Sequence, residues 1–141
     1  MSLINTFVDS TSGLANYTIA NSTIGINCRL VECRIADSDI GMNGAAIDCE
    51  LTKCIVGVNS KFTDCILTNC TIDMNGTLVN CVIVDCKFEE KNTILRKCNI
   101  KHSNISNDNI LVECDITDSD IDVNNNSLSE CDIDGIITNN I

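Results

Sequence analysis

Apolar and polar residues alternate along this chain in short steps of five or six residues. In most steps the third residue is Leu, Ile, Val or Phe, the first is small, and the second is polar or charged. A period of two is typical of a β-strand whose first and third side chains point into a core. The pattern therefore predicts very short strands separated by corners.

The steps are grouped into units of about sixteen residues, as the sixteen-residue spacing of Cys49, Cys65 and Cys81 shows. Residues 44–59 read GAAID, CELTK and CIVGVN, so three steps close one unit. We therefore predict an all-β fold, a single-stranded parallel β-helix (β-solenoid) of triangular cross-section with about 8 to 9 coils. The register leaves no linker, and we expect residues 1–141 to form a single β-solenoid domain.

Equivalent positions in successive units predict columns of side chains along such a helix. Thiols at the first position of one side would form a core column: Cys33, Cys49, Cys65, Cys81, Cys98, Cys114 and Cys131. Asn tolerates the left-handed backbone that a sharp corner requires, so a recurring Asn predicts the corner after the six-residue step. These corner residues are Asn27, Asn43, Asn59, Asn75 and Asn124.

Two further expectations follow from the same register. The apolar residue before the corner Asn is predicted to point inward, at Ile26, Met42, Val58 and Met74. One later step is read as NTILRK, which starts at Asn92 and gives that coil seventeen residues.

The tandem steps CRLVE, CRIAD, CELTK, CILTN, CVIVD and CDITD resemble those of pentapeptide-repeat proteins over nearly the whole chain. The resemblance implies a β-helix, which in that family is right-handed and four-sided. The sixteen-residue unit found here favours three sides instead. The resemblance also implies a function, because some members are acidic rods that imitate DNA and inhibit gyrase-type enzymes.

Composition restricts both the core and the chemistry of the chain. There is no Pro or Trp and aromatic residues make up 3%, so small and β-branched side chains must fill the interior. The eleven Cys residues are an odd number and alternate with Ser, Gly or Asn in the columns, which favours reduced, buried thiols over disulfides. Because the Cys residues stack at the coil period, we expect them to pack in the core, with no metal or other cofactor.

Charge and targeting signals exclude further classes of function. A net charge of −11 makes nucleic acid an unexpected ligand. No stretch approaches the length of a membrane span and no signal peptide is evident, so we expect no membrane contact and a cytoplasmic or virion location. The only His, His102, falls at an exposed corner, so we expect neither an enzyme nor a small-molecule substrate.

An apolar line at the fourth position of one side predicts a protein-interaction surface, with residues Val31, Ile47, Val79, Leu95 and Val112. Such a line requires burial, either by an inward twist of the backbone or by a partner, for example another copy of the chain. A solenoid also has unpaired strand edges at its ends. We therefore favour a non-enzymatic structural protein that docks by an uncapped end or its apolar stripe on a larger assembly, such as a virus particle, appendage or filament. The alternative is an acidic DNA mimic.

Overall fold

The structure is a computed structural model that describes residues 1–73, 75–89, 91–121 and 125–135. The described residues form twenty-five strands of two or three residues and no helix. In chain order the strands are β1 (Ser2–Ile4), β2 (Phe7–Val8), β3 (Gly13–Ala15), β4 (Thr18–Ala20), β5 (Thr23–Ile24), β6 (Arg29–Val31), β7 (Arg34–Ala36), β8 (Asp39–Ile40), β9 (Ala45–Ile47), β10 (Glu50–Thr52), β11 (Ile55–Val56), β12 (Lys61–Thr63), β13 (Ile66–Thr68), β14 (Thr71–Ile72), β15 (Thr77–Val79), β16 (Val82–Val84), β17 (Lys87–Phe88), β18 (Ile94–Arg96), β19 (Asn99–Lys101), β20 (Asn104–Ile105), β21 (Ile110–Val112), β22 (Asp115–Thr117), β23 (Asp120–Ile121), β24 (Ser127–Ser129) and β25 (Asp132–Asp134).

Every third strand belongs to the same parallel sheet. The first sheet runs from β1 to β25, the second from β2 to β23 and the third from β3 to β24. Glu50 pairs with Arg34 on one side and with Ile66 on the other, so the register is sixteen residues in these coils. Three sheets and about eight coils confirm the predicted three-sided parallel β-helix.

The core is a continuous column along the axis, filled from all three sheets by the third residue of each step. Leu51, Leu67 and Ile83 succeed one another in the first sheet and are at most 1% exposed. Phe62 and Phe88 are the bulkiest of the fully buried side chains. Because one step is too short to enclose a core, each coil is stabilised by the coils above and below it.

The described coils turn at three corners, and from Asn5 to Glu130 the described corner residues have a left-handed backbone with φ between 48° and 65°. The corner after the second sheet carries the predicted Asn27, Asn43, Asn59 and Asn75, whereas Asn124 lies outside the described residues. The corner after the third sheet is mostly charged, and its residues are Asn16, Glu32, Asp48, Asp64, Asn80, Lys97, Glu113 and Glu130. Corner amides hydrogen-bond the next coil, as the Asn27 N–H does to the Met42 carbonyl at 3.0 Å.

The extra residue of the seventeen-residue coil lies at the corner before β18. The sequence pattern places it instead in the step that begins at Asn92. Leu95 pairs with Leu78 and is 0% exposed, so it is a core residue. The prediction that Leu95 belongs to the apolar line is therefore wrong, and Arg96 takes that place. Asn92 is a corner residue with φ of 65°, and Thr93 begins the step. An extra residue inside a strand would turn its side chains over, whereas a corner accommodates it.

The apolar residues before the corner Asn do not point into the core. Ile26 and Met42 are 43% and 48% exposed, and Val58 is half-buried, so the prediction that they point inward is wrong. The strands of the second sheet have only two residues, and the chain bends before it reaches these positions. Met74, in the same column, lies outside the described residues.

Glycine at that bend lets neighbouring coils approach closely. A Cβ on Gly41 would lie 2.9 Å from the carbonyl carbon of Gly25, and one on Gly57 would lie 2.8 Å from the amide nitrogen of Met42. Real Cβ atoms essentially never come this close, so a side chain at Gly41 or Gly57 would force these coils apart. Later coils carry Asp73, Glu89 and Ser106 at the equivalent position.

Candidate functional site

Where the first residue of a step is Cys or Ser, its side chain holds the backbone of the preceding corner by hydrogen bonds. Cys49 Sγ donates to the carbonyl of Ile47 at 3.3 Å and accepts from the N–H of Cys33 at 3.4 Å. Ser38 Oγ likewise accepts from the N–H of Ser22 at 3.1 Å and donates to the carbonyl two residues earlier at 2.7 Å. Cys and Ser therefore interchange in these columns because both are small and carry one donor and an acceptor.

The structure places the predicted thiol column at the first position of the first sheet. Six of its members are at most 2% exposed, namely Cys33, Cys49, Cys65, Cys81, Cys98 and Cys114. Cys131 is partly exposed, and all eleven cysteines of the chain are free thiols.

Hydrogen bonding indicates that the thiols are neutral. Hydrogen bonds with the thiols of Cys65 and Cys98, together with burial, raise the pKa of Cys81. The neighbouring thiols act oppositely on Cys65 and lower its pKa to about 4. However, Cys65 Sγ lies 3.3 and 3.5 Å from the carbonyl oxygens of Thr63 and Ala46. The single S–H of a neutral thiol can donate to these oxygens, whereas a thiolate would be repelled by both. We therefore assign the neutral form to the whole column and a structural role to it.

Neither a metal centre nor a catalytic cluster is formed by the residues that the structure describes. Across these ranges no three His, Cys, Asp or Glu side chains converge so that they could hold a metal ion. His102 is exposed at the corner after the first sheet. Within the same ranges there is also no helix long and apolar enough to span a membrane.

The outward side of the third sheet from β6 to β21, called here the lateral face, is the candidate interaction site. Its second-position residues are Arg29, Ala45, Lys61, Thr77, Ile94 and Ile110, and its fourth-position residues are Val31, Ile47, Thr63, Val79, Arg96 and Val112. Ile47, Ile94 and Ile110 are 41%, 40% and 44% exposed. The predicted Val31, Val79 and Val112 are half-buried beside them. Parallel pairing thus brings four of the five predicted interface residues onto one flat surface.

Sequence reasoning missed Ile94 as a surface residue because of the register of its step. With Asn92 as the first residue, Ile94 points inward and Leu95 outward. With Thr93 as the first residue the two exchange places. Both readings put an aliphatic side chain in the core, so the alternation alone does not choose between them.

The lateral face carries only positive charge on a chain whose net charge is −11. Its charged residues are Arg29, Lys61 and Arg96, all exposed. The ion pairs among the described residues lie elsewhere, for example between Arg34 and Glu50 at 3.5 Å on the first sheet. The lateral face is therefore an apolar surface with three unpaired cations.

Corners of different chemistry border the lateral face on its two sides. The corner beside the second-position column, called here the Asn corner, holds Asn27, Asn43, Asn59, Asn75 and Asn92, with Asp108 in the last coil. The corner beside the fourth-position column, called here the acidic corner, holds Glu32, Asp48, Asp64, Asn80, Lys97 and Glu113. The lateral face thus has one hydrogen-bonding edge that is neutral except at Asp108, and one mostly anionic edge that also contains Lys97.

These features define the chain as a three-sided parallel β-helix with one apolar, cationic side. No protein-family model and no curated protein sequence matches the chain. Among solved structures, a hyper-glycosylated TibA fragment aligns with a TM-score of 0.57 at 10% identity, over 86% of this chain and 53% of that fragment. At this identity the likeness shows the fold alone.

Pentapeptide-repeat proteins are also among the structural neighbours. A trypsin-treated variant of QnrB1, a plasmid-mediated fluoroquinolone resistance protein, aligns with a TM-score of 0.46 at 15% identity, over 94% of this chain and 88% of that one. HetL, a pentapeptide-repeat protein from the cyanobacterium Nostoc sp., gives a TM-score of 0.32 at 12% identity, over 94% and 82% of the two chains.

Proposed function

We propose that this chain is a non-enzymatic structural solenoid that acts by protein–protein contact through its lateral face, within a larger assembly such as a virus particle, appendage or filament. The observation that carries the proposal is the apolar lateral face with three unpaired cations on an acidic molecule. Burying what remains exposed of an isoleucine such as Ile47 contributes about 1 kcal/mol. A partner surface with apolar residues and carboxylates would satisfy both features.

The chemistry of the described residues supports a non-enzymatic role. The thiols that could act as nucleophiles are buried and donate hydrogen bonds to backbone carbonyls, as Cys65 does. His102 lies exposed at a corner, and no described carboxylate forms an ion pair with it. General acid–base catalysis needs paired groups of this kind in one site.

The test uses glutamate substitutions in the middle of the lateral face. Ile47→Glu and Val79→Glu place a charge in the proposed contact while leaving the buried core unchanged. Ile66→Glu is the matched control, because Ile66 is 44% exposed but lies on the first sheet. Each variant is expressed in the source cells, and its sedimentation with large assemblies in a density gradient is measured.

We expect the wild type and Ile66→Glu to sediment with the assembly and the two lateral-face variants to stay at the top of the gradient. Thermal unfolding of each purified variant checks that the solenoid is intact. Sedimentation of Ile47→Glu and Val79→Glu with the assembly at the wild-type level would contradict the proposal.

Mimicry of DNA is the alternative proposal, and it depends on the acidic corner. Carboxylates there succeed one another at the coil spacing of about 4.8 Å, from Glu32 to Asp64. Asn80 and Lys97 interrupt the series, and Lys97 Nζ lies 3.9 Å from a Glu113 carboxylate oxygen. We rank this alternative second for that reason. A gyrase supercoiling assay tests it, and inhibition at micromolar protein would favour it over the structural role.

A further inference from the structure

We propose that the partner of the lateral face is a second copy of this chain, with the two rods side by side and parallel. This inference rests on the proposed function, because it names the partner of the same face. The dimer has a two-fold axis that runs between the rods along their length. Its contact is made by the lateral face and the two corners that border it.

Symmetry leaves two ways to pack the lateral face against itself. A two-fold axis along the rods is the first, and it sets the second-position column of one copy against the fourth-position column of the other at equal height. The Asn corner of each copy then lies beside the acidic corner of the other. An axis across the rods is the second, and it makes the rods antiparallel. It sets each column against itself and the two acidic corners against each other.

The charges on the lateral face favour the parallel arrangement. Arg29 and Glu32 belong to the same coil and lie on opposite sides of the lateral face, so a parallel partner brings Glu32 of the second copy beside Arg29. Lys61 and Asp64 have the same relation two coils further along. These cations have no ion pair within their own chain, and the second copy supplies the missing carboxylates.

Corner amides add to this complementarity. The side-chain amide of Asn43 would lie at the height of Asp48 of the second copy, where it can donate a hydrogen bond to the carboxylate.

In the antiparallel arrangement, with the six coils in register, Glu32 would approach Glu113 of the same corner. Asp48 would approach Lys97, and Asp64 would approach Asn80. Each arrangement therefore has one like-charge contact, Glu32 with Glu113 when antiparallel and Asp108 with Glu113 when parallel. The parallel arrangement forms two kinds of ion pair, through Arg29 and Lys61, whereas the antiparallel one forms a single kind, through Lys97.

Shape along the two columns agrees with the parallel arrangement as well. Small Ala45 would face the larger Ile47 of the second copy, and Thr77 would face Val79. Ile94 would face Arg96, whose aliphatic stem can cover an apolar neighbour. At Ala45 and Ile47 the pairing of a small with a large side chain lets the two surfaces come into contact.

The size of the lateral face indicates a weak dimer. Six coils at about 4.8 Å and a five-residue width at about 3.3 Å per residue give roughly 500 Å² on each copy. The total of roughly 1,000 Å² is at the lower limit of specific interfaces. We therefore expect a dimer that dissociates on dilution.

Sedimentation velocity over a concentration series tests the dimer. We expect the wild type and the Ile66→Glu control to shift from the 15.3 kDa monomer towards twice that mass as concentration rises. Ile47→Glu and Val79→Glu are expected to weaken dimerisation by at least about tenfold. A wild type that stays monomeric throughout overturns self-association, and so does a dimer that both lateral-face variants leave unchanged.

A charge exchange tests the parallel arrangement. Lys61→Glu alone is expected to weaken the dimer by about tenfold at low salt, because the new carboxylate lies beside Asp64 of the second copy. Adding Asp64→Lys to Lys61→Glu restores the opposite charges between copies, and we expect affinity to return to within about threefold of the wild type. Failure of the double variant to regain affinity overturns the parallel arrangement.

The two proposals fail in different ways. A monomeric wild type whose lateral-face variants still leave the cellular assembly overturns the dimer and leaves the proposed function standing, with a foreign partner on the lateral face. Lateral-face variants that remain in the assembly and do not change the oligomeric state overturn both proposals.

Discussion

Thr93 has a fully buried hydroxyl that lacks a hydrogen-bond partner. Other residues in its column use their polar atoms: Asn109 Oδ1 accepts from the N–H of Thr93 at 2.9 Å, and Ser60 Oγ donates to the carbonyl of Gly57 at 2.9 Å. A buried polar group without a partner costs about 1 to 3 kcal/mol. Thr93 is therefore a first-position residue whose side chain does not make the hydrogen bonds that others in its column make.

We expect Thr93→Val to raise the free energy of unfolding by about 1 kcal/mol, because valine has the same shape and no hydroxyl to desolvate. Urea unfolding followed by circular dichroism measures the change. Ser103→Ala is the matched control, since Ser103 Oγ accepts from the N–H of Cys86 at 3.1 Å and donates to the Lys101 carbonyl at 3.0 Å. That control should lose about 1 kcal/mol. A loss of similar size in Thr93→Val would contradict the expectation.

At the scale of single residues, some corner residues could be predicted from the sequence and others could not. The Asn corner could be predicted because Asn is known to tolerate a left-handed backbone. Lys53 and Glu32 have the same left-handed backbone, with φ of 54° and 52°. This could not be predicted, because neither residue type prefers that conformation. At those corners the pairing of the flanking strands imposes the conformation, and the residue type follows from exposure to solvent.

Among the elements, the bends of the second sheet at Gly41 and Gly57 leave little room for a side chain. Gly41→Ala would place a Cβ 2.9 Å from backbone atoms of the preceding coil, and backbone cannot move aside as a side chain can. We expect this variant to lose about 2 to 3 kcal/mol of stability, which thermal unfolding would measure.

Gly76→Ala provides the control for that experiment. A Cβ on Gly76 would meet its nearest neighbours at 3.7 Å, an ordinary contact, and the backbone there is not left-handed. This variant should stay within about 0.5 kcal/mol of the wild type. Equal destabilisation by the two alanines would show that steric contact at the bend is not the cause.

The strands themselves could be predicted almost completely from the alternation of apolar and polar residues, because the third residue of each step must enter the core. Corner length could not, since corners accept an additional residue without disturbing the strands on either side. This is why the strand positions agree with the prediction up to β17 and why Leu95, in β18, was assigned to the wrong side of its strand. In the structure, the pairing of Leu95 with Leu78 shows which side of its strand Leu95 occupies.

For the molecule as a whole, the rate at which the buried thiols are modified shows whether the coils unfold cooperatively. Ten cysteines are buried and Cys131 is partly exposed. Only the thiolate reacts with disulfide reagents, and buried neutral thiols react when the coils open. We expect Ellman's reagent to modify Cys131 quickly in the folded protein. The ten buried cysteines should react together, and only at urea concentrations that unfold the protein.

Cys131→Ser should remove the fast phase of that reaction and leave the unfolding-limited phase unchanged. Fast modification of several cysteines in the absence of denaturant would contradict the assignment of the columns to a packed, neutral core.

Much of the candidate site was also accessible from the chain alone. Val31, Ile47, Val79 and Val112 were identifiable as an apolar line, because the repeat fixes which positions align. The chemistry of the surrounding surface was not, since Arg29, Lys61 and Arg96 lie far apart in sequence and come together on one face only in the folded coils. Charge on a solenoid surface therefore has to be assigned by column, not along the chain.

The sixteen-residue register has a consequence for how such a protein can change in size. Removing residues 44–59 would join Asn43 directly to Ser60, and each remaining strand would meet a neighbour that already fits it, because Lys61 occupies the place of Ala45. Gain or loss of whole turns by duplication or deletion therefore needs no redesign of the interior. Rods of different length can arise from one gene in single genetic events, each still foldable.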